Sequence, residues 1–536
     1  MTTAKESSAW SPFRLPVFRM LWVATVASNV GTWMHDLGAA WLMTSLSPSP
    51  AMVALVQTAT TLPVFLLAVP AGALSDIVDR RRYLLFIQGW MAAVAVALGA
   101  LALSSQVNEW SLVALTFAMG CGTAMMLPAW AAVTPELVPR PHLQAAIALN
   151  SLGINIARAI GPALAGVIVS LAGTGAVFVL NAVSYLGVIL VLARWKREPG
   201  ASELPRERFF VAVRSGLRFA RHAPELQAAV VRGLAFFLFA SASWALLPLV
   251  ARGVEGGGPQ TFGLLVASIG AGAVLGAVVL PKVRSKVSSD ALVAAASVLY
   301  AATTLSLALL DDLALLCLAM TVSGIAWISV LSSLQVAAQM ALPDWARSRG
   351  LSVFMTAFMG AMAGGSLLWG QVAERTSIPV ALSIAAGGLI VAILFSWRWK
   401  ISGFESIDLS PAMHWATPVV HDGVSEDRGP VLVTLRYRVR PQERAAFLAA
   451  LRTLGRRRRR DGAFSWGVFE DTEHESEFLE SFYAESWLDH LRQHERVTQA
   501  DRDLQEEIQE FLFEPPKVSH FVAPRASEAE ALSLSP

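Results

Sequence analysis

The sequence predicts an all-α membrane protein, twelve transmembrane helices in two six-helix repeats, with a small α+β domain after them. Three observations carry this expectation. Of 536 residues, 15% are charged and 54% hydrophobic, against about 25% charged in soluble globular proteins. Residues 18–398 form a succession of apolar runs, each about 20 residues long and able to cross a hydrocarbon core of roughly 30 Å. Residues 403–536 lose this character and read as soluble.

The runs lie at about 18–45, 51–73, 83–104, 110–133, 146–171, 175–194, 229–251, 261–281, 289–309, 313–337, 350–372 and 377–398. Backbone in lipid must satisfy its own hydrogen bonds, so each is expected to be a helix. The loops between them are asymmetric in charge. One side carries Lys5, Arg14 and Arg19; Arg80, Arg81 and Arg82; Arg140; and the basic stretch from Arg194 to Arg221. Lys282, Arg284, Lys286, Arg347, Arg349, Arg398 and Lys400 fall on the same side. The other side has only Arg252 and Arg375, beside Glu109, Glu255, Asp311, Asp312 and Glu374. Lysine and arginine stay cytoplasmic, so both termini are expected in the cytoplasm of a bacterial inner-membrane protein. Met1–Pro16 shows no cleavable signal pattern, and the first span is expected to direct insertion.

The two cysteines, Cys121 and Cys317, sit inside apolar runs and indicate no disulfide framework. A net charge of +2 gives no nucleic-acid footprint, and the expected partners are the bilayer and a small-molecule substrate. The halves, about 15–195 and 225–400 within a transporter domain of 1–402, echo each other. Pro135-Glu-Leu-Val-Pro-Arg140 and Leu342-Pro-Asp-Trp-Ala-Arg-Ser-Arg349 place a proline, an acid and an arginine in equivalent inner loops. The basic segment 195–228 joins the halves, as a parallel-repeat transporter requires.

The loop Gly72-Ala-Leu-Ser-Asp-Ile-Val-Asp-Arg-Arg-Arg82 resembles the signature between helices two and three of the major facilitator superfamily, Gly-x-Leu-Ala/Ser-Asp-Arg/Lys-x-Gly-Arg-Arg. Gly72, Leu74, Ser75, Asp76, Arg80 and Arg81 match; Ile77 and Asp79 depart from it. A glycine at position 72 permits close helix approach, and Asp76 suits the exposed N–H groups of a helix start. The resemblance implies that Gly72, Asp76, Arg80 and Arg81 latch the two halves in the outward-facing state.

Ionisable and amide groups inside a span are functional candidates by default. The first span carries Asn29, His35 and Asp36, and the fifth carries Asn155 and Arg158. Counting about 1.5 Å per residue from Arg19 puts Asn29 near the midplane and Asp36 in the outer third. Asn29, Asn155 and Arg158 are therefore expected to form a polar patch in the central cavity, with Asp36 as counter-ion only if the first span shifts inward. Gly161, Pro162 and Gly166 partly resemble the antiporter motif of the fifth helix, Gly-x-x-x-Gly-Pro-x-x-Gly-Gly, which implies packing and gating there. Met320, Trp327, Phe354, Met355, Phe358 and Met359 are candidates for an apolar substrate wall, with plain packing as the alternative. The drug–proton antiporters have an arginine in span four, four residues before a glycine; here that residue is Thr116.

A linker is expected over 403–429, then a βαββαβ domain over 430–525 and a tail over 526–536. The strands are read as Val431–Val439, Phe464–Phe469, Glu477–Tyr483 and Val518–Val522, and the helices as Pro441–Leu454 and Trp487–Phe511, the second broken. That order suggests a ferredoxin-like sandwich, and the domain resembles the antibiotic-biosynthesis monooxygenases, which implies a homodimer through it. Ser486-Trp-Leu-Asp-His-Leu-Arg-Gln-His-Glu-Arg-Val-Thr498, together with the spans, resembles the transmembrane secretion effectors, related to the enterobactin exporter. His490 and His494 lie one helical turn apart and are read as a structural pair, His474 and His520 being conceivable third ligands. Arg456–Arg460 is read as a surface for anionic lipid or a dimer partner, or as a solvated helix end. No cofactor and no metal are expected. The expectation is a secondary active exporter of small amphipathic, siderophore- or drug-like molecules with proton coupling. The alternatives are a membrane-anchored monooxygenase-like enzyme, or a transporter whose terminal domain is a dimerisation or regulatory module.

Overall fold

A computed structural model describes residues 10–195, 218–401, 408–410, 412 and 428–524. The expected basic segment 195–228 and linker 403–429 therefore lie largely outside the described residues, as does the tail. The chain divides into two compact units; the first holds residues to 205, 230–335 and 354–400.

Its helices follow the apolar runs. They are α1 (Pro16–Leu46), α2 (Pro50–Ile77), α3 (Arg80–Leu103) and α4 (Glu109–Leu137). The next, Leu143–Arg194, is broken at Gly173, whose φ of 78° no helical residue adopts; we call its parts α5 (143–172) and α6 (174–194). Then follow α7 (Pro224–Gly253), α8 (Pro259–Arg284), α9 (Ser289–Leu309), α10 (Leu313–Met340), α11 (Arg347–Arg375) and α12 (Ile378–Ser396). By length and composition, ten helices among the described residues suit a membrane, with Leu143–Arg194 taken as one and α1 outside the ten.

Side-chain caps fix the helix starts. Ser49 accepts from Met52 N at α2, Ser288 from Ala291 N at α9 and Ser377 from Val380 N at α12. At α4, Asn108 and Ser111 form a capping box, each satisfying a backbone N–H that the helix leaves unpaired. Asp79 caps α3 by accepting from Arg82 N at 2.9 Å. This accounts for one departure in the signature loop: the acid standing where the motif has glycine starts the next helix.

Small residues set the helix contacts. A Cβ on Gly161 would lie 2.6 Å from Trp33 Cβ, which brings α5 against α1. Gly31 does the same for α1 and α6, where a Cβ would meet Asn181 Oδ1 at 2.7 Å. At Gly72 a Cβ would have nothing within 4 Å among the described residues, so no close approach of the kind expected is seen there. Large apolar side chains such as Phe86, Leu171, Val278 and Leu394 remain more than half exposed, as lipid-facing surfaces do.

The second unit combines 218–229, 336–353 and the described residues after 400. Its elements are β1 (Val431–Arg438), α13 (Arg444–Asp461), β2 (Phe464–Glu470), β3 (Glu477–Ala484), α14 (Trp487–Arg496), α15 (Gln499–Glu510) and β4 (Lys517–Val522). The sheet order is β2-β3-β1-β4 with every neighbour antiparallel. Along β1, Val431, Val433, Leu435 and Tyr437 turn inward against Phe447, Leu451 and Phe482, the alternation of a sheet covered on one face. Thr498 and Asp501 form a capping box that restarts the chain as α15, which is why the second helix is broken. The described part of the linker packs here: Gln499 N donates to Ser410 O and Ala412 N to Val497 O.

The arginine run corrects the sequence reading. Because α13 continues to Asp461, Arg456–Arg460 lies within a helix. Arg457 donates to Ala500 O and Asp501, Arg458 to Glu480, Arg459 to Trp466 O, and Arg460 to both Asp461 and Asp501. Four of the five guanidiniums thus hold the domain together, and neither a lipid surface nor a solvated end describes them.

Candidate functional site: a cavity between the two helical halves

A cavity of about 330 Å³ lies inside the first unit, walled by both halves of its helices. The first half contributes Trp33, Asp36, Leu37 and Ala40 from α1, a stripe at helical spacing. Gln57, Thr60 and Thr61 come from α2, and Arg158 and Pro162 from α5. The second half supplies a mostly apolar wall: Trp244, Phe262, Trp327, Phe358, Met359 and Met362.

An arginine and an aspartate therefore share one aromatic chamber. Arg158 stands over Trp33, its guanidinium carbon 5.9 Å from the ring centroid, a cation–π arrangement that strengthens away from water. The threonines spend their hydroxyls locally: Thr60 donates to Val56 O at 3.1 Å and Thr61 to Gln57 O at 3.0 Å. Arg158, Asp36 and Gln57 thus present the chemistry that a bound molecule meets. Such a chamber suits an organic ligand with flat or apolar faces and an anionic or hydrogen-bonding edge.

The expected patch is shifted. Asn29 and Asn155 are absent from the cavity lining, and Asn155 donates to Ser151 O in its own helix at 2.9 Å. Each lies about one turn before a lining residue, Trp33 or Arg158, so the cavity opens farther along both helices than the depth count put it. Asp36, reckoned too far out, is part of the site. Of the proposed apolar wall, Trp327, Phe358 and Met359 line the cavity, whereas Met320 and Phe354 are core residues, each 1% exposed. Trp33, Trp244, Phe262 and the α2 polar residues escaped the sequence reading. Gln57, Thr60 and Thr61 had a usable signal, three polar residues at i, i+3 and i+4 on one face of a mostly apolar helix.

The fifth-helix motif lies at the seam between the halves. A Cβ on Gly166 would be 2.7 Å from Pro259 O, and one on Gly263 would be 2.6 Å from Pro162 O. On the other side of the cavity α2 meets α11: Ser49 donates to Glu374 at 2.6 Å, Thr58 to Ala363 O at 3.3 Å, and Gly370 approaches Ala54. These contacts lie toward the end opposite the arginine loops, so the halves are closed together there. In the signature loop, Arg80 pairs with Glu136 at the end of α4. Arg81 donates to Leu192 O at 2.8 Å and Ala193 O at 2.5 Å, capping the carbonyl end of α6. Both arginines thus bind within their own half. Asp76 falls in the last turn of α2, and its side chain lies outside the described residues.

Two helical bundles around a shared cavity are the architecture of a major facilitator transporter. The chain belongs to the family described as transmembrane secretion effector, whose model matches residues 7–528, which makes it a multi-pass membrane transporter rather than an enzyme. It is 24% identical to the staphyloferrin A transporter of Staphylococcus aureus over 66% of this chain and 89% of that protein. It is 25% identical to the enterobactin exporter of Escherichia coli O1:K1 over 71% of this chain and 91% of that protein. An uncharacterised transporter of Bacillus subtilis is 25% identical over 50% of this chain. The match spans 66% of that protein's length, and 63% of the Salmonella typhi enterobactin exporter's. Among solved structures, a bacterial homologue of the lysosomal transporter Spinster superposes with a TM-score of 0.55 at 13% identity, over 74% of this chain and 96% of that one. A peptide-transporter-family structure gives 0.58 at 12% identity, over 72% and 96%. At such identities the likeness is one of fold.

Proposed function

We propose that the protein is a secondary active exporter of small amphipathic molecules, siderophore- or drug-like, driven by proton exchange across the bacterial inner membrane. Twelve spans with both termini in the cytoplasm are part of this reading, supported by the break at Gly173 and by the loop charges. The observation that carries it is the meeting of Arg158 and Asp36 in one aromatic-lined cavity. Arg158 binds the anionic or hydrogen-bonding edge of the substrate, and the tryptophans take its flat faces. Asp36 exchanges a proton as the cavity alternates between the two sides. The relatives named for enterobactin and staphyloferrin A support this substrate class. Gly161, Pro162 and Gly166 act as the hinge seam, and Arg80 and Arg81 change partners when the latch engages.

The terminal domain, in this reading, is a ferredoxin-like module related to the monooxygenase fold, serving dimerisation or regulation. Its strand order is the one a βαββαβ sandwich adopts.

Proton-driven uptake into inverted vesicles tests the assignment, with siderophores and drugs offered in turn. Arg158→Ala removes a charged contact worth on the order of 2–5 kcal/mol, so transport should fall about thirtyfold or more with normal insertion. Asp36→Asn should bind substrate yet lose its response to the proton gradient. Undiminished transport by Arg158→Ala, for every substrate that the native protein moves, contradicts the proposal.

A further inference from the structure

We propose that His490, His494 and His520 form a binding site for a divalent transition-metal ion, with Zn²⁺ as the fitting probe, which ties α14 to the edge strand β4. The two α14 histidines are one turn apart and present their rings on one face. The third comes from β4, where the antiparallel register sets His520 opposite Val433. One ring nitrogen from each residue lies within 4.8 Å of the other two. His490 Nε2 and His494 Nε2 are 3.3 Å apart. A tetrahedral ion holding nitrogens at about 2.0–2.1 Å separates them by roughly 3.3–3.4 Å, so two ligand positions are already spaced for it.

The surroundings also fit. His490 is 1% exposed, and its Nδ1 faces Gln493 Oε1 at 3.4 Å. With the proton on Nδ1, donated to that oxygen, the unprotonated Nε2 points toward His494. Trp487 packs on His490 and His520, with centroids at 5.4 and 6.0 Å, and walls the cluster from one side. A hydrogen bond between two histidines whose rings meet edge to face accounts for His490 and His494 alone. It does not account for His520, whose ring centroid lies 4.8 Å from that of His490. Three nitrogen donors leave a fourth position for water, the pattern of an open zinc site. Among the described residues the other cluster of ligand-type residues, Asp471, His474 and Glu477, lies at the surface, with the His474 side chain 63% exposed; it serves as the control.

The test uses the full-length chain without a polyhistidine tag, purified in detergent and stripped with a chelator. Competition against a chromophoric chelator should reveal about one Zn²⁺ per chain, and Co²⁺ should give the strong visible bands of tetrahedral coordination. His494→Ala and His520→Ala should each lose stoichiometric binding, while His474→Ala keeps it. Gln493→Leu should weaken affinity by about 10–100-fold, the usual effect of losing a group that orients a ligand. The half-buried positions 494 and 520 are chosen over the buried His490 so that the fold survives. Failure of the native protein to bind Zn²⁺ at micromolar free ion overturns the proposal. Undiminished binding in the His494→Ala/His520→Ala double variant does so equally.

Discussion

Glu480 has no exposed surface, yet three donors converge on it: Tyr437 Oη at 2.6 Å, Trp466 Nε1 at 2.8 Å and Arg458 Nε at 3.4 Å. A buried carboxylate is tolerable only with such partners. Burial holds the Tyr437 phenol well above its usual range, and the Glu480 charge pushes the same way, with Arg458 opposing. The folded chain therefore keeps this proton at pH values where the unfolded chain has lost it. Its contribution is complete below the unfolded value of about 10 and declines as pH rises past it. Thermal unfolding of the full chain should show an alkaline loss that Tyr437→Phe flattens. At neutral pH the same variant should be less stable by about 1–3 kcal/mol, because Glu480 loses a donor.

At the scale of elements, the seam between α5 and α8 depends on having no side chain at Gly166. A leucine there meets Pro259 O and pushes the closed end apart. Gly166→Leu should raise labelling of Thr60→Cys by a membrane-impermeant thiol reagent applied from the outer side, in a background lacking Cys121 and Cys317. Unaltered labelling would show that the seam does not set access. The helix boundaries themselves were legible in the sequence, because apolar runs and capping residues mark them locally: the run 289–309 and the helix Ser289–Leu309 coincide. Strands and the broken second helix of the terminal domain were legible for the same reason. The cavity was legible only in part. Polar residues inside apolar runs pointed to Asn29, Asp36 and Arg158, but the depth at which the cavity opens depends on tilt and on neighbouring helices. Likewise Arg456–Arg460 reads as surface in a linear sequence, since its acidic partners, Asp501 and Glu480, come from other elements.

For the whole molecule, the alternating access proposed above requires that the closed end open. Deleting residues 403–536 should leave proton-driven transport in place if the terminal domain is regulatory; complete loss in a correctly inserted protein would instead make it part of the pump. The contact between Ser49 and Glu374 bears on how fast the cycle runs. It joins the start of α2 to the end of α11 by a charge-assisted hydrogen bond at an exposed site and, in the cycle proposed above, breaks once per turnover. Glu374→Gln removes the charge, worth about 1 kcal/mol at such a position, so outward opening should accelerate about fivefold in stopped-flow or single-molecule records. Whether turnover then rises or stays level distinguishes a cycle limited by this opening from one limited at another step. In that sense a single exposed carboxylate serves as a timing element: its strength sets a dwell time rather than an affinity.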